Sequence, residues 1–141
     1  MKFKSRKEPL FTTLIFSIIG IICIHIFLSN DYDTSYTFKW LDLILVLVIG
    51  LLLWIHFGTS YKLTEKELKY KSGPIFGSII IANIHEIVKG KTLWVGIKPA
   101  TAPDGLIIKY NKYEEIYISP KTNESFIKKI LELNSDIKIT T

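Results

Sequence analysis

The sequence contains a single cysteine and a single arginine, and each scarcity excludes a kind of site. Cys23 has no cysteine partner, so the chain can form neither an intrachain disulfide nor a cysteine metal cluster. Arg6 is the only side chain capable of the bidentate hydrogen bonding that suits specific phosphate recognition. We therefore predict no cofactor held by cysteine and no headgroup pocket built from arginine.

Catalytic groups are also scarce. His85 and Glu86 are the only adjacent histidine and acid after the second apolar run, and no further His or Cys follows that run. A zinc site needs three or four ligands, so this pair is insufficient. Glu114 and Glu115 lie in a polar turn where solvated charge is expected, and residues 73–77 lack the Lys-Ser/Thr of a phosphate-binding loop. We predict a protein that is not an enzyme and binds no cofactor or metal.

No stretch of the chain resembles a nucleic-acid footprint. The net charge is +5 over 141 residues, and lysines alternate with acids in the C-terminal part. A nucleic-acid surface requires basic residues gathered in a patch or stripe, which the linear sequence does not display. We predict that nucleic acid is not a partner.

Long hydrophobic runs are what the sequence does contain. Residues 10–28 hold no Asp, Glu, Lys or Arg, and residues 41–57 hold one acid, Asp42, near their beginning. A transmembrane helix needs about 17–25 apolar residues. The first run is longer than the core of a cleaved signal peptide and ends in FLSND, which offers no small-residue cleavage site. We predict a transmembrane hairpin over residues 1–58, with spans at 10–28 and 41–57.

The basic residues around the runs predict orientation. Lys2, Lys4, Arg6 and Lys7 precede the first run, whereas the connection at 29–39 holds one lysine and two aspartates. Short segments rich in Lys and Arg stay in the cytoplasm. The pattern predicts a multi-pass protein of the cell membrane with both termini cytoplasmic and the connection outside.

Five small or ionisable residues interrupt the apolar runs. Gly20 and Gly50 lie near the middle of their runs, where small residues permit close helix packing, and we expect them to face one another. His25 and Asp42 fall at similar depth in an antiparallel hairpin and form a candidate interhelix hydrogen bond. Ionisable groups at membrane depth are functional candidates. Both residues, and His56, are also near span edges, where they can reach headgroups or pair.

After the second run, alternating apolar residues indicate short strands. In YKLTEKELKYK, residues Tyr61, Leu63, Leu68 and Tyr70 keep one apolar face around a polar turn. LWVGI, LIIKY and EIYIS are further strand candidates, while residues 84–88 fit either a strand or a helical turn.

A C-terminal helix completes the pattern. Thr122 or Asn123 can cap it. Its apolar stripe consists of Phe126, Ile127, Ile130, Leu131 and Leu133. Several short antiparallel strands capped by one amphipathic helix predict an α+β fold.

Residues 61–139 resemble the small bacterial pleckstrin-homology-like (PH-like) domains of the YyaB-like type that follow a pair of membrane spans. The resemblance rests on YKLTEKELKYKSG, on the Ile-rich stretch ending IHEI, and on LIIKYNKYEEIYISPKTNESFIKKILELNSDIKI. It implies a PH-like antiparallel sheet or barrel, closed by the C-terminal helix, over residues 59–141. The turn Pro103-Asp104-Gly105 departs from the family pattern. The resemblance implies no settled activity.

Lipid contact is expected through lysines rather than through a pocket. PH-like folds elsewhere bind phosphoinositides through a basic first hairpin, but the turn here, Glu65-Lys66-Glu67, is of mixed sign. Lys62, Lys69 and Lys71 flank it and form a diffuse basic face that can lie against anionic lipids.

The leading functional hypothesis is a binding or scaffold module held at the inner face of the bacterial membrane. Only residues 58–60 separate the second run from the first strand, so the domain must lie close to the bilayer. Its partners would be the lipid bilayer and another membrane protein or a second copy of itself. One alternative, which the resemblance alone implies, is protection against a membrane-active bacteriocin-type peptide. The other is an accessory subunit of a membrane enzyme or transporter.

Overall fold

A computed structural model describes residues 1–31 and 40–141 of the chain, the side chains of 29–31 excepted. Two helices, α1 (Pro9–Asp31) and α2 (Trp40–Gly58), contain the predicted spans. Both are long and apolar enough to cross a membrane. The predicted outer connection at 29–39 lies almost wholly outside the described residues.

The two helices run antiparallel, because the beginning of α1 lies beside the end of α2. Phe11 and Phe16 of α1 meet the His56 ring, with centroids 6.4 and 6.2 Å apart. The Lys7 ammonium group lies 4.0 Å from the centroid of the Phe57 ring. These contacts bury His56 almost completely, although most other side chains of the two helices are exposed.

The first sheet combines one strand that precedes the two helices in the sequence with three strands that follow them. Its antiparallel order is β1 (Lys2–Lys4), β2 (Ser60–Leu63), β3 (Glu67–Ser72) and β4 (Ile75–Ile80). The predicted hairpin is confirmed, since Tyr61 pairs with Tyr70 and Leu63 with Leu68. The sequence analysis did not predict β1, which pairs Phe3 with Tyr61. Three alternating residues fit a strand but are too few to identify one by themselves.

The second sheet has the order β7 (Glu114–Ile118), β6 (Leu106–Tyr110), β5 (Ile84–Lys89) and β8 (Lys138–Thr140). A single 3₁₀ turn, Ile81–Asn83, connects it to the first sheet. The ambiguous residues 84–88 belong to β5, whose pairing with β6 shifts register between Ile84 and Glu86. The short strand β8 pairs with β5 in parallel and was not predicted.

The predicted strand LWVGI is wrong. This segment is irregular, and only its Ile97 forms a bridge, with Ile116 in the middle of the edge strand β7. Trp94 and Val95 are more than four-fifths exposed, so no neighbouring strand covers them. Gly96 has a φ of +112°, which is outside the extended region that a strand needs.

Helix α3 (Asn123–Leu133) closes the space between the two sheets. Phe126 and Ile130 of the predicted stripe are fully buried, and the Phe126 ring meets Phe3 edge-on with centroids 5.2 Å apart. Ile127 and Leu131 pack partly against the same core. The predicted α+β, PH-like fold with a C-terminal helix is confirmed.

The segment after β1 joins the two sheets at their open side. The Lys121 amide donates a hydrogen bond to the Lys4 carbonyl at 3.0 Å, and the Arg6 amide donates to the Ser119 carbonyl at 2.7 Å. The N-terminal residues therefore close the barrel between β1 and the end of β7.

Glu86 connects three strands of the second sheet and should make its stability depend on pH. Its carboxylate accepts hydrogen bonds from Lys109 Nζ at 2.9 Å and from Thr140 Oγ1 at 2.8 Å. The Lys109 bond, followed by the Thr140 bond, lowers the pKa of this carboxyl. A lowered pKa in the folded state stabilises the fold above the unfolded pKa of about 4.3, and this contribution is lost as pH falls through the folded pKa.

We expect Glu86→Gln to flatten the dependence of the melting temperature on pH below about pH 5. Thermal unfolding of the full chain in detergent, recorded from acidic to neutral pH, measures this. Glu65→Gln, at an exposed position in the β2–β3 turn, is the matched control and should keep the wild-type profile. A Glu86→Gln profile parallel to that of the wild type would contradict the role of this carboxylate.

Candidate functional site

The exposed face of the first sheet is basic. Alternate residues of a strand share one face, and the register pairs Lys2 with Lys62 and Lys62 with Lys69. The predicted residues Lys62, Lys69 and Lys71 therefore lie on the same face, and β1 adds Lys2 and Lys4 to it. Glu67 offsets part of this charge through its ion pair with Lys69 at 3.2 Å.

This arrangement is unfavourable for the isolated sheet. Like charges directly opposite each other on neighbouring strands destabilise the pairing, and Lys2, Lys62 and Lys69 form a row of three across β1, β2 and β3. An anion placed against the row would relieve the repulsion. The face is thus a candidate surface for an anionic partner.

A second row of cations lies closer to the helices. Lys4 pairs with Ser60, and Ser60 pairs with Lys71. Lys121 adjoins Lys4 on the other side through its amide hydrogen bond. Neighbouring strands are about 4.8 Å apart, which places the Cα atoms of Lys4 and Lys71 about 10 Å from each other. Long lysine side chains can converge across that distance.

The second row forms one side of a cleft of about 670 Å³ between the sheet and the end of α2. Trp54 and Phe57 of α2 also line the cleft. The lining residues include six cations and no acid: Lys2, Lys4, Arg6, Lys7, Lys71 and Lys121. The cleft combines an apolar wall with a strongly positive one.

Buried hydroxyl groups fix the N-terminal wall of the cleft. Ser5 Oγ lies 2.9 Å from Ser119 Oγ and 3.1 Å from the Tyr61 hydroxyl, and it accepts a hydrogen bond from Thr101 Oγ1 at 2.9 Å. The Tyr61 hydroxyl donates to the Pro99 carbonyl at 2.6 Å. Burial raises the pKa of the Tyr61 phenol above its usual value. The network holds Lys4 and Arg6 in place on either side of Ser5.

Contacts at the end of α2 fix the other wall. Thr59 Oγ1 donates to the Ile55 carbonyl at 2.7 Å and lies 2.8 Å from Ser72 Oγ. The β3–β4 turn packs on the same part of the helix, because a Cβ added to Gly73 would lie 2.6 Å from Ile55 Cγ1. The helix end and the sheet are therefore in direct contact, and both walls of the cleft are anchored.

The guanidinium group of Arg6 is engaged in hydrogen bonds within the protein. This group donates to the Asp104 carbonyl at 3.1 Å and also to the Pro103 carbonyl. The turn that departs from the family pattern is thus tied to the N-terminal segment. Asn123 adds a second bond to the Asp104 carbonyl, at 2.9 Å from its amide nitrogen.

Four residues of the apolar runs were singled out as candidate interhelix contacts: Gly20, Gly50, His25 and Asp42. His25 is exposed, and the buried Oδ2 atom of Asp42 has no hydrogen-bond partner within the described residues. A Cβ added at Gly20 or Gly50 would meet no atom within 4 Å. The interhelix contacts expected for these four residues stay predictions.

The chemistry available at the cleft is recognition of negative charge. Its lining provides ammonium groups, hydroxyls and two aromatic rings, without a carboxylate or histidine to serve as a base. His85 is exposed on β5, and its neighbour Glu86 is engaged by Lys109 and Thr140. Within residues 1–31 and 40–141, no group of three or more His, Cys, Asp or Glu could hold a metal ion.

Sequence reasoning did not find Lys4 and Lys121 as members of this site. Lys2 and Lys4 were interpreted only as topology signals, although their alternation with Phe3 is the pattern of a strand with one buried face. Lys121 follows the Ser119-Pro120 end of β7 and carries no local signal. Only the pairing of distant segments places it beside Lys4.

Comparison with known proteins identifies the domain. Residues 59–134, more than half of the chain, match the family described as Bacterial PH domain. The chain is also 29% identical over 143 residues to "Uncharacterized protein YyaB" of Bacillus subtilis (strain 168), covering 100% of this chain and 98% of that protein. No solved structure matches it. The resemblance inferred from the sequence is confirmed, and the chain belongs to the bacterial PH domain family.

Proposed function

We propose that the protein is a membrane-anchored binding module without catalytic activity. Its two helices hold the PH-like domain against the inner face of the cell membrane, where the domain binds another membrane protein or a second copy of the chain. One observation carries the proposal: β1 precedes α1, β2 follows α2, and the two strands pair through Phe3 and Tyr61.

This pairing supports a hairpin with both ends on one side. Two antiparallel helices that cross a bilayer return the chain to the side from which it started, and β1 can then reach β2. The pairing also argues against removal of α1 as a signal peptide, since cleavage after α1 would remove β1. The domain would lose Phe3 from its core and Ser5 from its polar network.

The surface of the helices supports insertion in lipid. Leu10, Phe27 and Leu47 are each more than three-fifths exposed, and many other apolar side chains of α1 and α2 are exposed with them. Soluble proteins rarely display continuous apolar surface of this extent. The lysines of the first sheet lie on the same side as the N-terminus, which agrees with a cytoplasmic domain.

Labelling of single cysteines tests the anchoring and orientation. In a Cys23→Ser background, Ser35→Cys should react with an impermeant maleimide added to intact cells, whereas Ser125→Cys should react only after permeabilisation. The full chain should remain in the membrane fraction after alkaline extraction. Recovery of the chain in the soluble fraction, or external labelling of Ser125→Cys, would refute the proposed arrangement.

Crosslinking in intact membranes tests the binding role. The full chain should yield a discrete adduct with a second copy or with one other membrane protein. Monomer alone, at expression levels where a control membrane dimer is captured, would count against a scaffold function. Protection against a bacteriocin-type peptide and service as an accessory subunit stay predictions from the sequence.

A further inference from the structure

We infer that the cleft between the N-terminal segment and the end of α2 binds the phosphate group of an anionic phospholipid, one lipid per chain. The inference rests on the proposed membrane anchoring, since it places the cleft at the bilayer surface. It differs from the diffuse lysine contact expected from the sequence, because it assigns one defined site to residues that are far apart in the chain.

The three cations that carry the proposed site lack internal partners within the described part of the chain, unlike Arg6 and Lys7. Lys4, Lys71 and Lys121 are exposed and form no ion pair among the described residues. They lie in one row: Lys4 is on β1, Lys71 is on β3, and Lys121 follows the bridge between Ser5 and Pro120. Three ammonium groups in one row repel one another in the absence of an anion. A bound phosphate supplies the missing charge and can accept hydrogen bonds from all three.

The aromatic residues in the lining favour a lipid over a free anion. Trp54 and Phe57 are each more than half exposed, and Lys7 lies over the face of the Phe57 ring. Inorganic phosphate would use only the cationic wall. A phospholipid can place its phosphate on the lysines while its glycerol and first methylene groups contact the rings. Tryptophan also favours the interface between lipid and water.

The length of α2 places the cleft at headgroup depth. Its 19 residues span about 28 Å at a rise of about 1.5 Å per residue, close to the thickness of a hydrocarbon core of about 30 Å. Ser60 lies between Lys4 and Lys71 in the row. It is only two residues from Gly58, where the helix ends. The row therefore sits where lipid phosphates lie.

The row containing Lys62 and Lys69 lies farther from the helices. Lys62 is two residues beyond Ser60 along β2, a distance of about 7 Å. Lys69 is also partly neutralised by Glu67. Lipid binding should consequently depend on Lys4, Lys71 and Lys121 more than on the other row.

Native mass spectrometry of the full chain in mild detergent tests the site. Dioctanoyl-phosphatidylglycerol is titrated against wild type, a cleft variant (Lys4→Gln, Lys71→Gln, Lys121→Gln) and a matched distant variant (Lys66→Gln, Lys91→Gln, Lys128→Gln) with the same change in charge. Dioctanoyl-phosphatidylcholine and millimolar inorganic phosphate are the comparison ligands. Thermal unfolding without lipid verifies that each variant is folded.

Wild type should retain one phosphatidylglycerol and bind phosphatidylcholine at least about tenfold more weakly. Each cation near an anionic lipid contributes about fivefold in affinity, so the cleft variant should lose about a hundredfold. The distant variant should remain within about twofold of wild type. If the cleft variant fails to fold, Lys71→Gln and Lys121→Gln, singly, should each weaken binding by about fivefold.

Three results would overturn the inference: equal affinity for the two lipids, equal losses in the cleft and distant variants, or displacement of the lipid by inorganic phosphate. The last result would assign the cleft to a free anion. A chain that stays in membranes after alkaline extraction but gives any of these results refutes the lipid site alone. A chain found in the soluble fraction refutes the anchoring proposal instead.

Discussion

Phe126→Ala is expected to lower the free energy of unfolding of the domain by about 3–5 kcal/mol. Phe126 is fully buried, and its ring packs edge-on against Phe3 where α3 closes the two sheets. Removing the ring leaves a cavity that rigid strands on both sides cannot fill. Denaturant unfolding of the full chain in detergent measures the change, which corresponds to a fall in melting temperature of more than about 10 °C.

Phe76→Ala is the matched control, because it deletes the same atoms from a side chain that is 76% exposed on β4. Its effect on unfolding should stay within about 0.5 kcal/mol. Similar losses for both variants would mean that α3 does not form the closure described above. Since Phe3 is the contact of Phe126 on β1, the Phe126 substitution should also weaken the attachment of the N-terminal strand.

Gly105→Ala should be comparably damaging, for a different reason. A Cβ at this position would lie 2.2 Å from the Ile118 carbonyl oxygen and 3.0 Å from the Tyr117 ring. β6 and β7 begin their pairing at the adjacent residues, Leu106 and Ile118. The two strands would have to separate, and the hydrogen bond from the Gly105 amide to the Tyr117 hydroxyl, at 2.9 Å, would be lost. We expect a loss of about 3 kcal/mol or more.

Gly90→Ala is the control that separates this steric clash from the strain of placing a side chain at a positive φ. Gly90 has a φ of +73°, but a Cβ there would meet no atom within 4 Å. Its substitution should cost about 1–2 kcal/mol through the backbone conformation alone. Both variants are measured by the same denaturant unfolding experiment. A Gly105→Ala loss no greater than that of Gly90→Ala would contradict the close approach of β6 and β7.

The sequence was sufficient for the parts of the fold that depend on local patterns. The apolar runs gave both long helices within a few residues, and the alternation around residues 61–70 gave the β2–β3 hairpin. The stripe containing Phe126 and Ile130 identified the buried side of α3. Each of these signals spans enough residues for periodicity to be recognised.

The remaining parts depend on pairing between distant segments. β1 and β8 have three residues each and gain their structure from β2 and β5. LWVGI has strand-like composition, yet no strand covers its exposed side chains. Lys4, Lys71 and Lys121 line one cleft only after the barrel closes. Their spacing along the chain therefore does not predict the cleft. Lys62, Lys69 and Lys71 were predicted as a basic face. Of these three, only Lys71 lines the cleft, where Lys121 also lies.

The pairing of β1 with β2 also sets an order of assembly. β1 leaves the ribosome before either long helix, while its partner at Tyr61 and its closing contact at Pro120 are made only afterwards. Contacts between such distant segments form late in folding because the intervening chain must first be arranged. We thus expect β1 to be among the last elements to reach its final position. We therefore expect the barrel to be completed only after the two helices have paired.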